Sequence, residues 1–280
     1  MDKNRTNIKL VSDEKIAETS SKGNQEKWFD AETNQWYKLD QFGYEALSES
    51  LISILLEKSN IEKNTPFTFV RYAPVRVIVH NRERTGCVSE NFLEKGQSII
   101  TINHLLSRIF GHPLKDKLSS LTSDKRRISY LAEATKDYTG LDYFGEYLTL
   151  LFEIDSLFLN DDRHLNNIAV LKTGDKYDYC PIFDNGAALL SDIRFSPMDI
   201  APKALISSLK ARPFNTSFTR QVNTARLLYR KQLSIPLLTR IEIMEHLIPI
   251  LEFYSQRDRA IIADRIVECI LIRQNALKAL

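Results

Sequence analysis

A chain of 280 residues, 43% hydrophobic and 26% charged, is long enough to bury a substantial apolar core and has the composition of an ordinary globular protein. Its formal net charge of +2 is too small to argue for direct nucleic-acid binding or for an electrostatic hold on a membrane, and no segment approaches an uncharged bilayer span. Three widely spaced cysteines, Cys87, Cys180 and Cys269, form no CxxC pair and have no histidine at ligand spacing, so they read as core fillers. With no apolar leader in the first residues, the expectation is an intracellular, cytoplasmic protein.

In chain order, residues 1–19 are polar and are expected to be a flexible terminus. From Trp28 to Leu39, aromatic and polar residues alternate around the turn "AETNQ", which predicts a hairpin. "GYEALSESLISILLEKSN" follows, with Tyr44, Leu47, Leu51, Ile54 and Leu55 on one helical stripe. "FTFVRY", "VRVIVH" and "TGCVSENF" read as three strands. After "LEKGQ" the pattern turns helical, through "TINHLLSRIFG", "KRRISYLAEATKD" and "LDYFGEYLTLLFEIDSLFLN". Two short β-rich runs, "NIAVLK" and "YDYCPIFDNG", flank the turn residues "TGDK", and from about Pro197 amphipathic helices run to the end. The predicted class is α+β in two lobes: a small β-rich lobe with one main helix over residues 20–95, and a larger, mostly helical lobe over 96–280. The linker between them lies near Glu94 to Gln97, and a cleft between lobes is the usual place for a ligand.

The densest chemistry lies in "LNDDRHLNNIAVL", where a long apolar helix gives way to two acids, an arginine, a histidine and two amides before an apolar strand. Asp162 is followed five positions later by Asn167, and Asp184 ends the next apolar run in "IFDNG". That is the order a phosphoryl-transfer enzyme of the kinase type uses: an acid facing the acceptor hydroxyl, an amide for magnesium, and an acid for the metal on the phosphates. Carboxylate and amide oxygens are the hard ligands Mg2+ prefers. Asp161 and Asn166 share the same separation, but Asn167 directly adjoins the strand, which favours the Asp162/Asn167 pair. Such a site also needs a cation on the phosphates and a helix carboxylate to hold it. Lys38 at the end of "QWYKL" fits the first role; Glu45, ahead of Glu49 one turn on, is taken for the second.

"DRHLNNI" followed by "FDNG" resembles the catalytic and metal-binding loops of the phosphatidylinositol-kinase-like superfamily, and more closely those of bacterial HipA-like serine/threonine kinases. The resemblance implies a protein-kinase-like fold, ATP and Mg2+ as cofactors, Asp162 as catalytic acid, Asn167 and Asp184 as metal ligands, and Arg163 and His164 as catalytic-loop residues. "SSKGNQEKW" resembles that family's loop over the ATP phosphates, which implicates Ser21, Gly23, Gln25 and Lys27, and makes Ser20 or Ser21 a site of autophosphorylation. No phenylalanine follows Asp184, a departure from the usual order at that loop. Toxins of the family commonly carry a domain ahead of the phosphate loop; here a minimal kinase core is expected. The implied partners are a protein substrate and an antitoxin or other regulatory protein, with no direct nucleic-acid binding and no membrane. Competing readings are a small-molecule or lipid kinase on the same residues, a catalytically silent binding module, and a metal-dependent hydrolase built on Asp161, Asp162, His164 and Asp184.

Overall fold

The computed structural model describes residues 8–10, 26–79 and 81–278. A five-stranded sheet is built from β1 (Ile8–Leu10), β2 (Lys27–Asp30), β3 (Gln35–Leu39), β4 (Ala73–Val79) and β5 (Arg82–Glu90) in the order β1-β4-β5-β3-β2. The predicted hairpin is β2–β3, which sets Trp28 opposite Tyr37 and Lys27 opposite Lys38. All pairings in this sheet are antiparallel except β1 with β4. Within the polar N-terminal stretch, Ile8 to Leu10 of β1 pair with Arg76 to Ile78.

Helix α1 (Glu45–Leu56) covers one face of this sheet and is buried well beyond its apolar stripe. Every residue in it except Ile54 is buried. Its serines satisfy their hydroxyls, Ser50 Oγ donating within the helix to the carbonyl of Ala46 and Ser48 Oγ across to that of Ala188, so polar residues survive inside the core without orphaned donors. A short helix α2 (Ile61–Asn64) follows. "FTFVRY" forms no sheet strand; it makes one parallel bridge, Phe69 to Ile182, that ties this chain to the segment leading into Asp184.

Strand β6 (Gln97–Thr101) was not anticipated, because "QSIIT" runs directly into a helical pattern; it opens a three-stranded sheet with β7 (Ala169–Thr173) and β8 (Lys176–Tyr179) in the order β6-β7-β8. Between β6 and β7 lie α3 (Ile102–Phe110), α4 (Leu114–Ser120), α5 (Asp124–Thr139) and α6 (Phe144–Phe158). After β8 come α7 (Pro202–Ser208), α8 (Phe218–Tyr229), α9 (Arg240–Leu251) and α10 (Gln256–Lys278). Helix α6 is the axle of the helical part, with only Glu146 outside the core. At its start Gly145 lets α8 approach so closely that a Cβ there would lie 2.3 Å from the Tyr229 ring. One apolar cluster runs from Leu47 and Leu51 of α1 through Leu148, Leu151 and Phe158 of α6 to Ile266 and Ile270 of α10. Each such buried leucine or isoleucine contributes about 2 kcal/mol by its removal from water, so the helix beside the sheet and the helical part share one energetic unit. All three cysteines are buried and unpaired. Among the described residues no helix is long and apolar enough to cross a membrane.

Candidate active site

A cleft of about 640 Å³ opens between the five-stranded sheet and the helices, and Lys27, Lys38, Asp161, Asp162, Asn167 and Asp184 all line it. Its innermost feature is an ion triad. Lys38 Nζ donates to Glu49 Oε1 at 2.6 Å and to Asp184 Oδ1 at 2.8 Å, while Glu49 Oε2 accepts the backbone N–H of Asn185 at 2.9 Å. The carboxylate of Glu49, fully buried, thus joins the lysine of β3 to the loop carrying Asp184. The helix partner of Lys38 is therefore Glu49 and not Glu45, which corrects the sequence reading. Glu45 instead turns back on its own helix start, accepting the N–H groups of Phe42 and Gln41. One turn of helix separates the two glutamates, and only the phase of α1 against β3 selects between them.

Burial alone would drive the Lys38 amine toward neutrality, but Asp184 and Glu49 outweigh it and hold its pKa well above the usual lysine value. Asp184 mirrors this: burial would raise its carboxyl, yet Lys38, with help from Lys27 and Arg163, keeps it well below the ordinary carboxylate range. Asp184 also adopts a left-handed backbone (φ 63), a conformation costly for a residue with a side chain and characteristic of constrained functional positions. Lys27 stands beside Lys38 on the neighbouring strand, and its pKa is lowered by burial against the partial opposition of Asp184.

The loop carrying Asp162 is held from behind by residues that the motif did not announce. Helix α6 ends where Leu159 turns left-handed (φ 59). Asn160 Nδ2 then donates to Asp155 Oδ1 at 3.1 Å and to the carbonyl of Asp184 at 3.2 Å, and its Oδ1 accepts the N–H of Asp162. Arg163 is completely buried. Its guanidinium pairs with Asp155 at 3.0 Å, reaches Asn185 Oδ1 at 2.7 Å, and donates to the carbonyls of Phe183 and Asn167. Arg163 thus has no face toward the cleft: of the two roles the resemblance implies, orienting the loop or shielding charge in the cleft, its enclosed place fits the first and corrects the second. Asp155, one of two acids in "FEIDSLF" with Glu153, was the available signal: a carboxylate deep in an apolar helix needs a buried cation, and Glu153 finds its own in Arg226. Asn185 and Asn160 carried no comparable flag.

Asp162 projects into the cleft with His164 Nε2 3.8 Å from its Oδ2. Burial raises its pKa, with His164 opposing. Asn167 Nδ2 donates to the carbonyl of Asp162 at 3.2 Å, which turns its side-chain oxygen away as an acceptor. Among the described residues no three His, Cys, Asp or Glu side chains gather into a metal-ligand group. The donor set on offer is instead carboxylate and amide oxygen from Asp184 and Asn167, the sparse hard set that magnesium accepts while keeping its waters. Those residues fit the cation. Ser20, Ser21, Gly23 and Gln25 lie outside the described residues.

This arrangement joins a sheet lysine to a helix glutamate and to Asp184, with Asp162 and Asn167 lining the same cleft. The chain superposes on the Helicobacter pylori proinflammatory kinase CtkA with a TM-score of 0.60, covering 93% of both chains at 14% identity. A second similar structure is HipA of Shewanella oneidensis MR-1, solved with HipB and its operator DNA, at a TM-score of 0.44 and 14% identity over 91% of this chain and 64% of that one. No family model and no curated protein sequence matches the chain. The similarity to CtkA makes the fold kinase-like, at low sequence identity.

Proposed function

We propose that the chain is an ATP- and magnesium-dependent phosphotransferase that modifies serine or threonine hydroxyls of a protein substrate. The observation that carries this reading is the Lys38–Glu49–Asp184 triad facing Asp162 and Asn167 across one cleft. ATP supplies the phosphoryl group, and magnesium neutralises the charge that builds on it in transfer. Lys38 and Lys27 hold the phosphate end of the nucleotide, Glu49 fixes Lys38 in place, and Asn167 and Asp184 give oxygen ligands to the cation. Asp162 orients the acceptor hydroxyl and takes its proton at a carboxylate oxygen as the oxygen attacks. His164 faces Asp162 from the same loop and steadies that carboxylate. Ser20 and Ser21 are candidate autophosphorylation sites, and a regulatory or antitoxin partner would act on the loop they belong to. Three buried, unpaired cysteines suit a cytoplasmic setting.

The test is incubation of the purified chain with γ-labelled ATP and magnesium, alone and with added protein. Label on this chain or on an added protein is the expected result. Release of ADP with no labelled acceptor would indicate an ATPase, and absence of any ATP binding would leave a binding module.

A further inference from the structure

We propose that the outer half of the cleft is a docking subsite for a polypeptide acceptor that carries, within a few residues of its hydroxyl, a large apolar side chain and a carboxylate. This rests on the phosphotransfer reading and names the residues flanking the acceptor hydroxyl, which that reading leaves open. Phe195 is 80% exposed, yet it lines the same cleft as Asp161 and Asp162. Leaving a phenylalanine in water forgoes favourable burial, which a loop free to rearrange would recover by folding the ring inward.

The backbone around Phe195 does not have that freedom. Asp192 bridges to Gly43, the N–H of Ile193 donates to the carbonyl of Phe42 at 3.1 Å, and Ser196 N–H donates to Asp192 at 2.9 Å. Gly43 is required at this junction, because a Cβ there would lie 1.9 Å from the Ser191 carbonyl oxygen. From the other side, the buried Arg265 of α10 donates to the carbonyls of Ser196, Pro197 and Ile200 and to the hydroxyl of Tyr44. A single guanidinium therefore clamps the segment to both α10 and the start of α1. The phenylalanine is presented on a fixed platform lining the cleft of Asp162, with the Arg194 guanidinium 5.3 Å from its ring centroid and the rest of its surface open to an apolar partner.

Arg212 supplies the polar half. Its backbone sits on a tight turn closed by mutual bonds between Ala211 and Thr216, and its carbonyl is held by Gln221 Nε2 at 2.8 Å. Its side chain is exposed and lines the cleft with Leu209 and Phe195. Lys38 has Glu49 and Asp184, and Arg194 has Asp192, whereas among the described residues no carboxylate lies within ion-pair distance of Arg212. A planar guanidinium with its fork unspent is matched by a carboxylate.

The experiment uses the full chain with ATP, magnesium and synthetic serine/threonine peptide pools in which each flanking position is fixed in turn as Glu, Lys, Leu or Gly. At one or more positions the pools with Glu should be used about three- to fivefold better in kcat/KM than those with Lys, the size expected of a solvent-facing ion pair. Leu should exceed Gly by roughly tenfold at another position, from partial burial against the ring. Arg212→Glu should reverse the Glu-to-Lys ratio, and Phe195→Ala should erase the Leu-to-Gly ratio. Both readouts are ratios within one protein, so a general loss of activity does not produce them. Transfer with no flanking preference overturns the subsite and leaves phosphotransfer standing. An Arg212→Glu variant that slows all pools equally assigns the arginine to the nucleotide and overturns its role here, and ADP release without transfer to any pool overturns a polypeptide acceptor. Absence of both transfer and ADP overturns phosphotransfer and this subsite with it.

Discussion

The two ends of the cleft are built on opposite electrostatic principles. At the inner end the charges of Lys38, Glu49 and Asp184 are mutually satisfied at 2.6 and 2.8 Å, and Asn185 closes the set with a backbone bond. At the outer end Asp162 has His164 at 3.8 Å, Arg212 reaches Asp161 and Asp162 only beyond ion-pair distance, and Phe195 is largely exposed. A preformed, self-consistent inner end suits a ligand that is the same in every turnover, as a nucleotide is. An open outer end suits partners that supply their own complementary groups.

The sharpest way to break this comparison is Asp162→Asn. On the reading given above it lowers transfer about a thousandfold while leaving nucleotide affinity in place, as removal of a general base should. Transfer assays together with an ATP-binding titration check it, and near-normal transfer would remove Asp162 from its role. Arg163→Met should act on the scaffold instead. It strands the buried Asp155 carboxylate and unpairs two carbonyls, so we expect a stability loss of about 3 kcal/mol by denaturant unfolding. Glu49→Gln keeps the shape of the inner end but removes half the charge that holds Lys38. Nucleotide KM should rise by roughly tenfold, whereas Glu45→Gln should change it little, since that carboxylate only caps its own helix.

The smallest effect separates the two adjacent acids. Burial, with Asp162 and Asp192 nearby and Arg212 opposing, raises Asp161 to about 6. The folded chain therefore holds that proton more tightly than the unfolded chain, and ionising the group costs stability progressively from about pH 4, the unfolded carboxyl value, up to about pH 6. Above that range the cost is complete. Asp161→Asn should gain about 1 kcal/mol at pH 8, a figure reduced for solvent screening, and nothing at pH 4. Thermal unfolding at the two pH values measures it, and equal shifts at both would show that the carboxyl is not the cause. Retained transfer in the same variant would confirm that the catalytic spacing begins at Asp162.

Much of this site is legible along the chain because kinase-type chemistry places its parts at fixed short spacings. Asp162, Asn167 and Asp184 stand out for that reason, and the hairpin and the helices announce themselves by period. What stayed hidden depends on contacts between residues far apart in sequence. Glu49 is eleven positions from Lys38, but Asn185, which it also binds, is 136 positions away. Arg163 looks like a surface arginine until α6 brings Asp155 beneath it, and "FTFVRY" has strand composition but lies where only Ile182 can pair with it.

The linear order of residues was sufficient to determine which groups could do chemistry and the α+β class that carries them, since local period and motif spacing are properties of neighbours along the chain. Tertiary structure alone decided which glutamate meets the lysine, which arginine is interior and which is left facing the cleft, and why a phenylalanine is held out in water. Those choices depend on the rotation of one packed helix against a sheet and on whether a guanidinium finds a buried carboxylate, and neither is written in any short stretch of sequence.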